Sequence, residues 1–150
     1  YDVKGKKYFE TPLKYYMADV GLRNARLNFR QVEENHIMEN VIFNELKVRG
    51  YSVDVGVVES KETIDGKRKL KQLEIDFVAS KGAKKYYIQS AYEMPTEEKL
   101  RQEKRSLIKV GDSFKKIVVV KDNIRPQTDE EGIVTMGLIN FLLDQNSLDL

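Results

Sequence analysis

The stretch Leu73-Glu74-Ile75-Asp76-Phe77-Val78-Ala79 places an aspartate inside an apolar run, where strands rarely carry one. A second strand-like run, Tyr86-Tyr87-Ile88-Gln89-Ser90-Ala91, follows after a turn at Gly82. If the two strands pair in antiparallel fashion, Asp76 and Gln89 come nearly opposite one another. Converging oxygen ligands are what Mg²⁺ or Mn²⁺ needs to position water and polarise a phosphate. These strands therefore predict a sheet that carries a candidate metal site.

The two-residue period of a strand predicts which side chains share a face of the sheet. On the first strand, positions 74, 76 and 78 are expected on one face, and positions 73, 75 and 77 on the other. On the second strand, positions 87, 89 and 91 are expected on a common face. The carboxylates of Glu74 and Asp76 are therefore expected to project to the same side.

The clearest helix signal runs from Glu33 to Arg49 and ends at Gly50. Its apolar stripe is expected to contain Ile37, Met38, Val41, Ile42 and Val48. Glu45 falls at the centre of that stripe and Glu39 lies on its flank. Burying a glutamate is costly unless it is paired, protonated or bound to a cation. Either residue would add a carboxylate to Asp76 if the helix packs on that face; the alternative is a partly exposed or hydrogen-bonded glutamate.

The remaining elements predict an α/β protein with a mixed sheet. A hairpin is expected over 1–10, a helix over 12–20 ended by Gly21, and a strand from Tyr51 to Val57. Residues 60–71 read as a turn centred on Asp65-Gly66. After the two strands come a helix from Thr96 to Lys109, a strand over 116–121, a loop over 123–132, a short strand over 133–136 and a helix over 138–143.

Composition limits the chemistry available to the chain. Its 150 residues are 41% hydrophobic and 33% charged, as in one globular domain, and no run approaches the ~20 apolar residues that span a bilayer. We therefore expect a cytoplasmic protein without membrane contacts. With no cysteine and a single histidine, His36, a thiolate or histidine zinc site is not expected. Any metal chemistry would use carboxylates and a hard ion.

Positive charge is concentrated in two segments, although the formal net charge is only +2. Residues 1–30 hold seven Lys and Arg against three acids, and residues 61–85 hold eight against four. Such segments can contact nucleic-acid phosphates, and the alternative is a set of solvated loop lysines. The candidate nucleic-acid-binding residues are Lys67, Arg68, Lys69, Lys71, Lys84 and Lys85.

Four segments carry a resemblance to a known family: KYYMADVGLRN (14–24), MENVIFNELKVRGYSVDVG (38–56), EIDFVA (74–79) and YIQSAY (87–92). In this order they resemble the C-terminal domain of unknown function that follows the ATPase core in many bacterial and archaeal AAA-type ATPases. The spacing of the acids also resembles the PD-(D/E)XK nuclease superfamily. The resemblance implies a restriction-endonuclease-like αβββαβ core with a mixed sheet flanked by helices.

Carried over residue by residue, the resemblance makes Glu39 the helix acid, Asp76 the strand acid and Gln89 the third ligand position. Glu45 and Glu74 are additional candidates, and Asp76 and Glu39 would hold Mg²⁺ or Mn²⁺ if the site is active. An active nuclease would carry a lysine where this chain has Ala91. The resemblance therefore implies a vestigial site, unless Lys84, Lys85 or Lys99 takes over that role.

Three functions follow from these residues. The first is a catalytically inactive, nuclease-like accessory domain, covalently attached to an ATPase core and contacting protein or nucleic acid. The second is a metal-dependent nuclease with an atypical site that lacks the usual lysine, and the third is a module for self-association. The chain opens without a methionine, which predicts a piece of a longer protein, with ATPase activity in the missing N-terminal part. Residues 1–30 are interpreted as a linker or hairpin with a short helix from a preceding region, and 31–150 as the PD-(D/E)XK-like domain.

Overall fold

The fold is a six-stranded mixed sheet flanked by helices, as seen in a computed structural model of the chain. The structure describes residues 14–30, 32–64, 67–93 and 96–150, with the backbone alone for 61–64, 67, 68 and 97. The helices are α1 (Val20–Arg26), α2 (Glu34–Val48), α3 (Glu97–Ile108) and α4 (Leu138–Leu143). The strands are β1 (Ser52–Ile64), β2 (Lys67–Lys81), β3 (Lys84–Ala91), β4 (Lys115–Val120), β5 (Gln127–Thr128) and β6 (Ile133–Gly137).

The order of strands across the sheet is β1-β2-β3-β4-β6-β5. The first three form an antiparallel meander, and β4 then pairs with β3 in parallel fashion. A parallel neighbour needs a crossover connection, which α3 supplies. The α/β class and the mixed sheet expected from the sequence are confirmed, and so are the predicted helices α2, α3 and α4 and the strands β3, β4 and β6.

The sheet separates two apolar clusters, one on each face. On the α2 side, Met38, Ile42 and Leu46 pack against Phe77 and Ile88 of the sheet. On the opposite side, Leu107 of α3 packs against Ile75, Ala91 and Val118. The predicted stripe on α2 is correct for Met38 and Ile42 but wrong for Val48, whose exposed fraction is 82%. Val48 lies about 200° around the helix from the buried Leu46, so its side chain is directed away from the sheet.

The prediction of a turn over residues 60–71 is wrong. Strand β1 continues to Ile64 and β2 begins at Lys67, and the two remain paired residue by residue along this length. Residues 57–64 and 67–74 thus form a two-stranded ribbon, here called the arm, in which β2 pairs only with β1. Polar residues are frequent in the arm, and the described side chains at positions 69–72 and 74 are exposed to water. The Asp65-Gly66 turn itself lies outside the described residues.

The helix predicted over residues 12–20 begins later than expected. Residues 14–18 are non-helical, and α1 starts at Val20 after Asp19, whose side chain accepts a hydrogen bond of 2.9 Å from the Leu22 backbone N–H. An aspartate at this position is a strong helix start, and Gly21 lies inside the first turn instead of ending the helix. The hairpin expected over 1–10 lies outside the described residues. The domain boundary at residue 30 stays a prediction.

Two smaller features complete the fold. The predicted loop over 123–132 contains the two-residue strand β5, which pairs with β6 at the sheet edge. Among the described residues, no helix has the length and apolar character required to cross a membrane.

Candidate functional site

A bulge in β2 directs the acids of this strand. Gly56 pairs with Ile75 and Asp54 pairs with Val78, so β2 holds one more residue than β1 between these pairs. An extra residue interrupts the alternation of side chains and re-aims those beside it. Ile75 packs in the cluster on the α3 side, whereas Phe77 packs in the cluster on the α2 side. The expectation that these two side chains share a face is therefore wrong.

The bulge also turns the Val78 side chain to the face opposite the one predicted from the sequence. This residue lines a cleft together with Ile75 and Tyr87, on the α3 side, instead of sharing the face of Asp76. The expected alignment of Glu74 with Asp76 is confirmed, because both carboxylates contact one lysine on the α2 side of the sheet.

Asp76 lies where β2 and β3 stop pairing. The final pair of this ladder is Phe77 with Ile88. One residue further, Asp76 Oδ2 accepts a hydrogen bond of 2.8 Å from the Ser90 backbone N–H, and the Asp76 N–H points to Gln89 Oε1 at 3.4 Å. Side-chain contacts thus replace the backbone ladder at this point, and they bring Asp76 and Gln89 together as the sequence predicts.

A lysine occupies the centre of the acids. Lys14 Nζ lies 3.0 Å from Glu39 Oε1, 2.5 Å from Glu74 Oε1 and 3.2 Å from Asp76 Oδ1. We call Glu39, Glu74 and Asp76 the acidic cluster. Its members come from one helix and one strand, and the lysine comes from a segment 62 residues before Asp76. The ammonium group is therefore the internal counter-charge of three carboxylates.

The segment that carries Lys14 is fixed by its neighbours. The Tyr16 hydroxyl donates a 2.6 Å hydrogen bond to Glu39 Oε1, and its ring stacks on Phe43 with centroids 4.2 Å apart. The Met17 N–H donates to Asn40 Oδ1 at 2.8 Å, and Asn40 Nδ2 donates back to the Met17 carbonyl at 2.8 Å. The buried Asn40 side chain thus satisfies both backbone hydrogen-bonding groups of Met17. These contacts hold the segment on α2 and Lys14 over the acidic cluster.

Burial dominates the electrostatics of the site. It raises the pKa of Asp76 to about 6, even though the charge of Lys14 and the Ser90 N–H favour the ionised carboxylate. Burial alone would lower the pKa of Lys14, but its hydrogen bond to Glu74 and the charges of Asp76 and Glu39 raise it above the ordinary value. Burial and the hydrogen bond to Glu39 raise the pKa of Tyr16. At neutral pH the lysine is charged and the tyrosine is neutral.

Gln89 is directed away from the acidic cluster. Its neighbours on the same face, Tyr87 and Ala91, belong to the cluster on the α3 side, and Gln89 Oε1 lies 3.5 Å from Ser106 Oγ of α3. The predicted common face of positions 87, 89 and 91 is therefore found. Ala91 is 2% exposed against Leu107 and Val118, in an apolar setting. The three predicted ligand positions consequently do not point to one place.

The other candidates lie apart from this cluster. Glu45 pairs with Arg49 at 2.8 Å, and its side chain is 24% exposed, which agrees with the partly exposed alternative considered from the sequence. Lys84 pairs with Asp149 at 2.8 Å, and the Lys85 ammonium lies 4.9 Å from the Phe114 ring centroid. The acids Glu39, Glu74 and Asp76 instead contact a lysine that the sequence did not indicate. The replacement that the structure offers is Lys14.

The arm carries the remaining candidates. Lys69 and Lys71 are exposed, and for Lys67 and Arg68 the structure describes the backbone alone, as part of β2. Their role in binding nucleic acid stays a prediction.

The donor set suits a hard cation in type but not in its present arrangement. Carboxylate oxygens are the ligands that Mg²⁺ and Mn²⁺ prefer. However, the described residues contain no group of three or more Asp, Glu or His side chains arranged to hold a metal ion. The point on which Glu39, Glu74 and Asp76 converge is taken by the Lys14 ammonium. A metal ion would be held there only after Lys14 had moved away.

Comparison with known proteins gives a relative whose function is not described. The chain is 35% identical over 143 residues to an uncharacterized protein of Haemophilus influenzae. The aligned region covers 95% of this chain and 32% of that protein. The chain thus spans about a third of the length of its relative. No family model matches the chain. No solved structure matches it either.

Proposed function

We propose that this chain is a non-catalytic accessory domain of a larger cytoplasmic ATPase, with a restriction-endonuclease-like fold whose former metal site is now an internal ion cluster. The observation that carries the proposal is the Lys14 ammonium, which lies within 3.2 Å of carboxylate oxygens of Glu39, Glu74 and Asp76. A lysine in this place neutralises the acids as a metal ion would, but it cannot activate a water molecule as a Lewis acid does.

The order of elements supports the fold part of the proposal. A helix (α2), an antiparallel meander (β1, β2, β3), a helix (α3) and a parallel strand (β4) follow one another as in the αβββαβ core that the resemblance implies. The ladder between β2 and β3 ends at Phe77 and Ile88, next to Asp76, which the resemblance makes the strand acid. The longer relative supports attachment to a larger protein, and the ATPase identity of that protein rests on the resemblance.

The alternative is a metal-dependent nuclease with an atypical site. One observation favours it: Lys14 lies 3.2 Å from Asp76, so a lysine is present beside the strand acid although position 91 holds alanine. In this alternative Lys14 would move aside for the metal ion and then stabilise negative charge on the phosphate.

Isothermal titration calorimetry with MnCl₂ at pH 7.5 distinguishes the accessory domain from the nuclease. We expect no saturable binding tighter than about 1 mM, because the ammonium already occupies the point of convergence. The Lys14→Met variant is expected to bind Mn²⁺ more tightly than the unchanged protein, since removal of the ammonium leaves three carboxylates without a cation. Tight binding by the unchanged protein that is lost in Asp76→Asn would overturn the proposal and favour the nuclease.

A further inference from the structure

The face of the sheet opposite the acidic cluster contains a cleft of about 330 Å³. Its floor is formed by Ile75, Val78 and Tyr87 of β2 and β3. One wall is the edge strand β1 at Gly56 to Glu59, where the arm begins, and the other is the loop after α3, from Lys109 to Asp112. The cleft therefore lies between the base of the arm and the C-terminal end of α3.

Lysines surround this cleft. Lys85 and Lys109 line it directly, and the Lys116 ammonium donates a 3.1 Å hydrogen bond to the carbonyl of Val110, another lining residue. The structure thus gathers on one face basic residues from β3, β4 and α3, which are distant in the sequence.

The arm adds two more lysines to the same face. Val58 packs in the cluster on the α3 side and pairs with Leu73. Since side chains two residues apart on a strand share a face, Lys71 and Lys69 follow Leu73 along this side of the arm. Both lysines are exposed.

Among the described side chains at this place, acids are fewer than lysines: Glu59 and Asp112 line the cleft. On the arm, the strand register places Glu62 opposite Lys69. The Asp112 carboxylate accepts a 2.6 Å hydrogen bond from the Tyr87 hydroxyl, and burial together with this bond raises the pKa of Tyr87. The local charge is therefore positive, in a protein whose formal net charge is only +2. Such a local excess favours an anionic partner.

We propose that the arm and this cleft together bind double-stranded DNA. A two-stranded ribbon has dimensions that the major groove admits, and the eight residues of each arm strand extend roughly 25 Å. Lys69 and Lys71 contact phosphates beside the groove that the arm enters, while Lys85 and Lys109 contact the backbone that lies across the cleft. Lysine–phosphate contacts of this kind release counterions, so binding weakens as salt rises.

This inference rests on the proposed accessory function, because it places DNA on the face opposite the acidic cluster. DNA bound there is not presented to Glu39, Glu74 and Asp76, which lie on the α2 side. The domain would hold DNA without cutting it.

Fluorescence anisotropy with a labelled 20-base-pair DNA duplex tests the inference, in 50 mM salt with EDTA so that metal binding plays no part. Lys69→Glu/Lys71→Glu on the arm and Lys109→Glu beside the cleft are each expected to weaken binding about tenfold and to lower the salt slope by about one per lost phosphate contact. Lys47→Glu is the matched control, since Lys47 is exposed on α2. It is expected to bind the duplex within about twofold of the unchanged protein.

Three results would overturn the inference: absence of duplex binding by the unchanged protein, equal binding by the arm or cleft variant, or an equal loss in Lys47→Glu. Single-stranded DNA and duplex RNA of the same sequence are measured for comparison. Both are expected to bind more weakly, because the first has no groove and the major groove of the second is narrow and deep. Tighter binding of either would contradict the assignment to double-stranded DNA. Since EDTA is present, these results do not depend on the outcome of the Mn²⁺ titration.

Discussion

Replacing Lys14 with methionine is expected to lower the free energy of unfolding at pH 7.5 by about 2 kcal/mol. Methionine keeps most of the apolar stem but removes the ammonium group that contacts the acidic cluster. Removing one partner of a fully buried ion pair costs more, about 3–5 kcal/mol. A smaller loss is expected here because the side chain of Glu74 is 52% exposed and water screens its charge.

The loss should depend on pH in a definite direction. The pKa of Asp76 is raised to about 6, above its value in the unfolded chain, so the ionised carboxylate is unfavourable in the folded state. That cost is present above pH 6 and is relieved as pH falls and the carboxyl takes a proton. Without Lys14 the pKa of Asp76 rises further, because Lys14 is the main group that lowers it. The difference in stability between Lys14→Met and the unchanged protein should therefore be smaller at pH 5 than at pH 7.5.

Urea unfolding at the two pH values measures this effect, with Lys47→Met as the control for loss of an exposed lysine. A loss below about 0.5 kcal/mol at pH 7.5 would show that Lys14 is a surface residue in solution. A loss of the same size at both pH values would show that Asp76 does not titrate against Lys14.

Replacing Arg49 with alanine is expected to lower the free energy of unfolding by about 3 kcal/mol. Arg49 follows α2, and its side chain is 7% exposed. The guanidinium donates hydrogen bonds to Glu45 Oε1 at 2.8 Å, to Ser147 Oγ at 2.9 Å and to the Phe141 carbonyl. It also lies 4.6 Å from the centroid of the Phe141 ring. One side chain thus joins α2 to α4 and to the C-terminal residues.

The several hydrogen bonds of the Arg49 guanidinium explain why a large loss of stability is expected. Alanine would leave Glu45 and the Phe141 carbonyl without this donor in a part-buried setting. Arg49→Lys keeps the charge but offers a single ammonium group, so it should recover only part of the loss. Urea unfolding at pH 7.5 measures both variants, with Lys47→Ala as the exposed control on the same helix. A loss below about 1 kcal/mol for Arg49→Ala, or full recovery with lysine, would contradict this role.

Local sequence signals were sufficient for most elements of the fold. The helix ended by Gly50 and the apolar run of β4 appear where the sequence predicts them, because helix signals and buried strands depend on residues close in the chain. The proximity of Asp76 and Gln89 was also predictable, since a short turn at Gly82 fixes the register of β2 and β3.

The errors arise where distant residues decide the structure. The extra residue of the bulge in β2 moves Phe77 to the α2 side although alternation predicts the other face, and the signal for it, Gly56, lies on the neighbouring strand. The arm was predicted as a turn because its residues are polar, whereas backbone pairing between β1 and β2 holds it. In both cases the pairing between β1 and β2 decides the conformation, and the residues of one strand alone do not reveal that pairing.

Lys14 was missed for a related reason. The segment 14–24 stood out as part of the resemblance, but Lys14 fell within the helix predicted over 12–20 and was given no role. Its position depends on Asn40, Tyr16 and Glu39, which bring the segment to α2 across more than 20 residues of chain. The resemblance places the lysine at position 91, on the sheet, whereas the Lys14 ammonium comes from a segment 62 residues before Asp76. A lysine close to an aromatic pair and ahead of a helix start was the available signal.

A cleavage assay with Mg²⁺ or Mn²⁺ on branched, double-stranded and single-stranded DNA and on RNA shows whether the acidic cluster is catalytically inactive. The unchanged protein is compared with Asp76→Ala, which removes the strand acid of the acidic cluster. We expect no metal-dependent cutting by either protein, because the Lys14 ammonium occupies the point on which the three carboxylates converge. Metal-dependent cutting by the unchanged protein that disappears in Asp76→Ala would contradict this expectation, and would make the acidic cluster the active site of a nuclease.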